Sequence, residues 1–115
     1  MSMAVEEVLE PDAARKVIAS GDAPLLDIRG DDDWHEKRIA GARRVSENDL
    51  DSMLEEIGSD RAVVIVCNDG ERSATLAAEL RERGHQAASI EGGIEAWAKD
   101  FPTQPSADPA DDVDI

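Results

Sequence analysis

The chain has 115 residues, of which 27 are acidic and 12 are basic, so its formal net charge at neutral pH is −15. Domains most often contain about 100–150 residues, and this length therefore predicts one compact domain. The longest uninterrupted apolar run, Ala62 to Cys67, has six residues, whereas a membrane-spanning helix needs about 18 or more. The sequence therefore predicts no membrane span.

The charge and the cysteine count also limit the partners and the cellular setting. A net charge of −15 opposes binding to nucleic acid or to an anionic membrane, because like charges repel at long range. The single cysteine, Cys67, rules out an intrachain disulfide and a multi-cysteine zinc site, and we expect neither a metal ion nor a cofactor. The acidic start of the chain is unlike a secretory signal, so the expected location is the cytoplasm.

Lysine is scarce in this chain. Three of the 12 basic residues are lysines, whereas acidic residues are spread along the whole sequence. Self-repulsion on this scale is tolerated best where salt screens it. The composition resembles that of proteins from salt-loving archaea and predicts a halophilic protein; the alternative is an ordinary acidic soluble protein.

Apolar runs and turn residues alternate along the chain in the order typical of an α/β domain. Pro11 stands where a helix can begin, because the first turn needs no N–H from that residue, and Gly21 stands where the helix can end. The first half of the chain predicts an edge strand near residues 5–8, a helix from Pro11 to about Gly21, a strand at 25–28, a polar turn at 30–33, one helical turn at 34–38 and a short strand near Val45.

The second half contains the strongest strand signal, the run Ala62–Val66. Because this run is apolar on both faces, we place it in the middle of a mostly parallel sheet. The surrounding pattern predicts a helix at residues 48–57, this central strand, a loop at 67–72, a helix from about Ser73 to Arg83 with Gly84 at its C-cap, a strand at 86–90, and a last helix after Gly92-Gly93.

The chain changes character after Phe101. The segment that follows contains three prolines and four aspartates and no basic residue. Such a composition buries little apolar surface and favours disorder. We therefore predict one domain at residues 1–101, followed by an acidic, disordered tail at residues 102–115.

The loop that follows the central strand is the candidate active site. Ligands of parallel sheets bind beyond the carboxyl ends of the strands, and this loop leads from there into a helix N-terminus. Its backbone N–H groups can form an anion cradle that would stabilise a thiolate on Cys67, the reactive form of that side chain. The alternative is that Cys67 is only a small buried hydrophobe. The predicted substrate-binding residues beside Cys67 are Asn68, Asp69, Gly70, Glu71, Arg72 and Ser73, with Gly70 allowing the turn and Arg72 reaching over the opening.

Three segments resemble motifs of the rhodanese-like sulfurtransferase family. The loop Cys67–Ser73, after a Val/Ile-rich strand, is similar to one signature of that family. Leu26–Arg29, followed by Trp34 and by Ile39–Ala42, resembles its N-terminal motif, and Glu91–Trp97 resembles its C-terminal motif. Together the three cover about residues 4–100 in the expected order. The resemblance implies a rhodanese-like α/β domain, with a central, mostly parallel sheet and helices on both faces.

The resemblance also implies a reaction. Cys67 would accept sulfane sulfur as a persulfide, from a thiosulfate-like small donor or a persulfide-bearing protein, and pass it to an external thiol or cyanide. Asp27 and Arg29, at the end of the neighbouring strand, are expected to support the loop. The sequence departs from the family where Asp69 and Glu71 make the loop acidic. A doubly negative donor would be attracted less strongly to such a loop.

Two other functions fit part of the pattern. Phosphatases and arsenate reductases of related folds bind oxyanions in such loops, but with a longer spacing between cysteine and arginine than the four residues found between Cys67 and Arg72. A non-catalytic or sulfur-carrier module would instead dock a partner through its acidic surface. The presence of Cys67 and Arg72 argues against a non-catalytic module. It is compatible with a sulfur carrier, which would also form a persulfide.

Overall fold

The computed structural model of the chain describes residues 7–58 and 60–103. In this part of the chain helices and strands alternate, which confirms the predicted α/β class. The elements are β1 (Val8–Leu9), α1 (Pro11–Ser20), β2 (Leu25–Asp27), α2 (Asp31–Glu36), β3 (Arg43–Arg44), a 3₁₀ turn (Glu47–Asp49), α3 (Leu50–Ile57), β4 (Val63–Val66), α4 (Glu71–Glu82), β5 (Ala87–Ile90) and α5 (Gly93–Asp100).

The described strands form one sheet in the order β1-β5-β4-β2-β3, and each neighbouring pair runs parallel. β4 lies in the middle, with Ile65 between Leu26 of β2 and Ser89 of β5. From β2 the chain continues to β3 at one edge of the sheet, whereas from β4 it continues to β5, toward the opposite edge. The carboxyl ends of β2 and β4 therefore flank the point where the strand order reverses, and parallel sheets bind ligands in the crevice there.

The alternation of side chains along β4 divides the core into two layers. Val63 and Ile65 pack in one hydrophobic cluster with side chains of α3 and α4, whereas Val64 and Val66 pack in another with side chains of α1 and α5. Each of the four residues of β4 is 1% exposed or less. Cys67 continues the first alternation and belongs to the α3 and α4 layer. The predicted arrangement, helices on both faces of a buried parallel sheet, is confirmed.

Two helices begin earlier than the sequence predicts. α2 begins at Asp31, so the acidic run forms its first turn rather than a polar turn before it. Carboxylates in that position are stabilised by the partial positive charge of the helix N-terminus. α4 begins at Glu71 rather than at Ser73, and Gly70 precedes it with a φ of +90°. Glycine adopts this left-handed conformation without the steric cost that a side chain would bring.

Parts of two predictions lie outside the described residues. These are the first half of the edge strand near residues 5–8 and, beyond residue 103, the acidic tail. Among the described helices, none is both long enough and apolar enough to span a lipid bilayer. Within residues 7–58 and 60–103, no group of three or more His, Cys, Asp or Glu side chains is placed to hold a metal ion.

Candidate active site

Cys67 lies at the carboxyl end of β4, and the loop to α4 folds around its sulfur atom. The backbone N–H of Gly70 donates to Sγ at 3.2 Å, and that of Ser73 donates at 3.3 Å. Cys67 itself is only 6% exposed. Two N–H groups aimed at one sulfur, beside the positive end of the α4 dipole, stabilise negative charge on that atom. The loop therefore has the geometry of an anion cradle around the sulfur of Cys67.

Ser73 completes the cradle from the first turn of α4. It is fully buried, and its Oγ lies 3.3 Å from the Sγ of Cys67. Its hydroxyl also donates to the carbonyl oxygen of Gly70, at 3.4 Å. The sequence suggests Ser73 as the residue that starts the helix, but Gly70 occupies the N-cap. Ser73 therefore lies inside the helix, where its side chain contacts the sulfur.

The N-terminus of α5 holds the loop from the other side. The N–H of Ile94 donates to the carbonyl oxygen of Cys67 at 2.9 Å, and the N–H of Glu95 donates to that of Asn68 at 3.0 Å. At Gly93, which has a φ of +63°, a Cβ atom would lie 2.5 Å from both of these carbonyl oxygens. Glycine is thus required there by both conformation and space. Sequence reasoning did not assign Gly93 to the site, although a Gly-Gly pair before a helix is a signal of close backbone approach.

Asp27 and Arg29 form a buried ion pair at the end of β2, next to the loop. Arg29 donates from Nε to Oδ1 at 3.0 Å and from Nη2 to Oδ2 at 2.8 Å. The guanidinium also donates to the side-chain oxygen of Asn68 at 3.3 Å and to the carbonyl oxygen of Lys37 at 2.7 Å. The pair therefore links β2 to the loop, a position from which the two residues can support it.

Asn68 and Asp69 are the exposed residues of the loop before α4. The side-chain amide of Asn68 donates to Asp33 Oδ2 at 3.0 Å, which connects the loop to α2. Asp69 Oδ1 accepts the N–H of Glu71 at 2.9 Å and lies 3.9 Å from the Sγ of Cys67. The carboxylate of Asp69 therefore accepts the N–H of Glu71 and also places negative charge near the sulfur.

The guanidinium of Arg72 faces Glu47 of the 3₁₀ turn. Arg72 Nε donates to Glu47 Oε2 at 2.9 Å, and Nη2 donates to Oε1. The hydrogen bond between them lowers the pKa of Glu47 and raises the pKa of Arg72. The sequence predicts that Arg72 reaches over the loop opening, and in this structure its guanidinium is paired with Glu47. Sequence reasoning missed Glu47, which lies 25 positions away in a segment without a motif.

The comparisons with known proteins agree with this fold. The family model for the rhodanese-like domain matches residues 10–100, and the chain belongs to this family. A Bacillus subtilis protein named "Putative sulfurtransferase YtwF" is 28% identical over 95 residues, which cover 83% of this chain and 92% of that protein.

Solved structures of the same fold include domains and longer chains. The rhodanese-like domain protein from Staphylococcus aureus has a TM-score of 0.72 and 23% identity, with 87% of this chain and 98% of that chain covered. The thiosulfate sulfurtransferase from Pseudomonas aeruginosa has a TM-score of 0.74 and 21% identity, with 92% of this chain and 21% of that chain covered. At these identities the two structures show the shared fold alone.

Proposed function

We propose that this protein is a sulfurtransferase that moves sulfane sulfur through a persulfide on Cys67. The observation that carries the proposal is the pair of backbone N–H groups, from Gly70 and Ser73, that donate to the Sγ of Cys67. Membership of the rhodanese-like family and a relative named as a sulfurtransferase support the same activity. The proposal is supported by the thiol of Cys67 and the N–H groups that face it, because such a transfer uses a sulfur nucleophile and groups that stabilise its charge.

The reaction divides into two displacements at sulfur. In the first, the Cys67 thiolate attacks the sulfane sulfur of the donor, the donor's S–S bond breaks, and its remaining fragment leaves with the electron pair. This fragment is sulfite when the donor is thiosulfate and a thiolate when the donor is a thiol persulfide. In the second, an acceptor thiolate or cyanide attacks the terminal sulfur, and Cys67 leaves as a thiolate. The products are the acceptor's persulfide or thiocyanate.

The cradle stabilises the anion that each step leaves on the cysteine or on the transferred sulfur. The N–H groups of Gly70 and Ser73 and the N-terminus of α4 provide this stabilisation without reorganisation, because α4 and the α5 contacts hold the loop in place. The chain contains no second cysteine that could resolve the persulfide. The acceptor must therefore be another molecule.

Replacing the nucleophile tests the proposal directly. Cys67→Ser keeps nearly the same volume and replaces the sulfur with a hydroxyl that remains protonated at neutral pH. After incubation with thiosulfate or with 2-hydroxyethyl persulfide, we expect the wild-type protein to gain the mass of one sulfur atom, which cyanide then removes. The serine variant should gain none, while its circular dichroism spectrum remains that of the folded protein. Sulfur bound by the folded serine variant, or none bound by the wild type from either donor, would contradict the proposal.

A further inference from the structure

The ion pair between Arg72 and Glu47 links the first turn of α4 to the 3₁₀ turn that precedes α3. The Nε and Nη2 atoms of Arg72 form one edge of the guanidinium, and both face the two carboxylate oxygens of Glu47. This is the bidentate geometry with which arginine also binds oxyanions. The side chains are 52% and 40% exposed, so an incoming anion can reach the pair from solvent. Glu47 therefore occupies the edge of Arg72 that an anionic donor would use.

Arg72 lies in the first turn of α4, directly before Ser73, whose backbone N–H donates to the Sγ of Cys67. The pKa of Arg72 is raised mainly by the hydrogen bond with Glu47 and then by the charge of Glu47. The charge of Arg72 therefore lies at the helix start that borders the sulfur, but the carboxylate of Glu47 offsets it. To an approaching anion, the pair presents far less positive charge than a free arginine would.

The other charges described at the loop do not compensate for this loss. Arg29 is paired with Asp27 and is only 7% exposed. Asp69 has a carboxylate oxygen 3.9 Å from the Sγ of Cys67, and Glu71 lies exposed in the first turn of α4. A small donor with two negative charges therefore meets carboxylates at the opening of the loop and an arginine that is already paired. A donor with less charge is opposed less strongly.

We propose that Glu47 is a specificity-determining residue, which holds Arg72 in the ion pair and thereby disfavours small dianionic donors relative to thiol persulfides. The proposal rests on the proposed sulfurtransferase function and names the donor class of the same site. Glu47 acts through Arg72 and is a positioning residue rather than a catalytic one. Thiosulfate must compete with the carboxylate of Glu47 for the guanidinium, whereas a persulfide of an uncharged thiol gains little from it.

Glu47→Gln removes this competition, and a second acidic residue provides a matched control. Asp51 of α3 forms a similar ion pair with Arg83, at 2.8 Å, and both side chains are more than half exposed. Asp51→Asn therefore removes the same charge and a comparable surface contact, but from an arginine at the other end of α4. We measure kcat/KM for thiosulfate and for 2-hydroxyethyl persulfide with cyanide as acceptor, at low ionic strength.

We expect Glu47→Gln to raise the ratio of the two kcat/KM values, thiosulfate over persulfide, by about two- to fivefold, the range set by the strength of an exposed ion pair. The change should be in the KM for thiosulfate, and Asp51→Asn should leave the ratio unaltered. Adding Arg72→Gln to Glu47→Gln should abolish the gain, because the arginine then no longer binds the donor.

Three results would overturn the proposal. An unaltered ratio in Glu47→Gln would show that the glutamate does not restrain Arg72. An equal rise in Asp51→Asn would assign the effect to net charge alone, and a gain that persists without Arg72 would assign it to another residue. The failure of the proposed function looks different, because the wild type and both single variants would then form no persulfide and no thiocyanate from either donor.

Discussion

At the scale of single residues, Asp27 carries the buried carboxylate that pairs with Arg29 beside the loop. Asp27 is fully buried and accepts three N–H groups of Arg29, those of the backbone, Nε and Nη2. Removing one partner of a buried pair leaves the other charge without compensation. We therefore expect Asp27→Asn to lower the free energy of unfolding by about 3–5 kcal/mol, measured by urea denaturation.

An exposed ion pair provides the control for that measurement. Asp31 pairs with Arg44, and their side chains are 68% and 38% exposed. Because solvent screens such pairs, Asp31→Asn should cost about 1 kcal/mol or less. If the two variants lose the same free energy of unfolding, burial does not make the Asp27–Arg29 pair more important for stability than an exposed pair.

The residues of the site differ in how far the sequence alone could predict them. The Cys67 loop is local, since the cysteine, Gly70, Arg72 and the helix start lie within six positions, and these features could be read together. The partner of Arg72 could not be predicted from the sequence. Glu47 is one of 27 acidic residues, and an exposed side chain has many alternative positions. Gly93 also depends on tertiary structure, since only the approach of the loop makes a side chain there impossible.

At the scale of elements, the contact between α5 and the loop predicts an effect of Gly93→Ala. A Cβ there would lie 2.5 Å from the carbonyl oxygens of Cys67 and Asn68, so the loop or the helix must move. We expect slower persulfide formation and a loss of stability of about 1–3 kcal/mol beyond the backbone strain. The measurements are the rate of sulfur loading and urea denaturation.

Gly84→Ala separates the strain from the clash. Gly84 also has a positive φ, +95°, but a Cβ there would meet nothing within 4 Å. This variant should show the backbone strain alone, about 1–2 kcal/mol, with the wild-type rate of sulfur loading. If both variants load sulfur equally fast, the packing of α5 against the loop does not set the geometry of the cradle.

The elements were predictable where an apolar pattern defines them and less so elsewhere. β4 is apolar on both faces, which placed it correctly in the centre of a parallel sheet. The helices α2 and α4 both begin with charged residues that show no apolar periodicity, so the sequence placed both helix starts too late. The edge strands β1 and β3 have two residues each, and their pairing depends on the neighbouring strand rather than on a pattern of their own.

At the scale of the whole molecule, a net charge of −15 predicts that stability depends on salt. The Debye length falls from about 10 Å at 0.1 M salt to about 3 Å at 1 M, so added salt screens repulsion between the acidic side chains. We expect Tm to rise by about 4 °C or more between 0.1 M and 1 M KCl, which corresponds to about 1 kcal/mol for a domain of this size. A Tm that stays level or falls would contradict the halophilic interpretation.

The burial of Cys67 also determines the kinetic order of any reaction that passes through it. The residue is 6% exposed, and backbone groups of α4 and α5 contact its loop, so little of its side chain is open to an approaching reactant. We therefore expect donor and acceptor to react at the sulfur in turn, and the chain has no second thiol to which the sulfur could be moved in between. We therefore expect the proposed transfer through Cys67 to follow a substituted-enzyme, or ping-pong, cycle. In such a cycle each substrate in excess inhibits the half-reaction of the other, so the ratio of donor to acceptor in the surroundings sets how much of the protein carries sulfur.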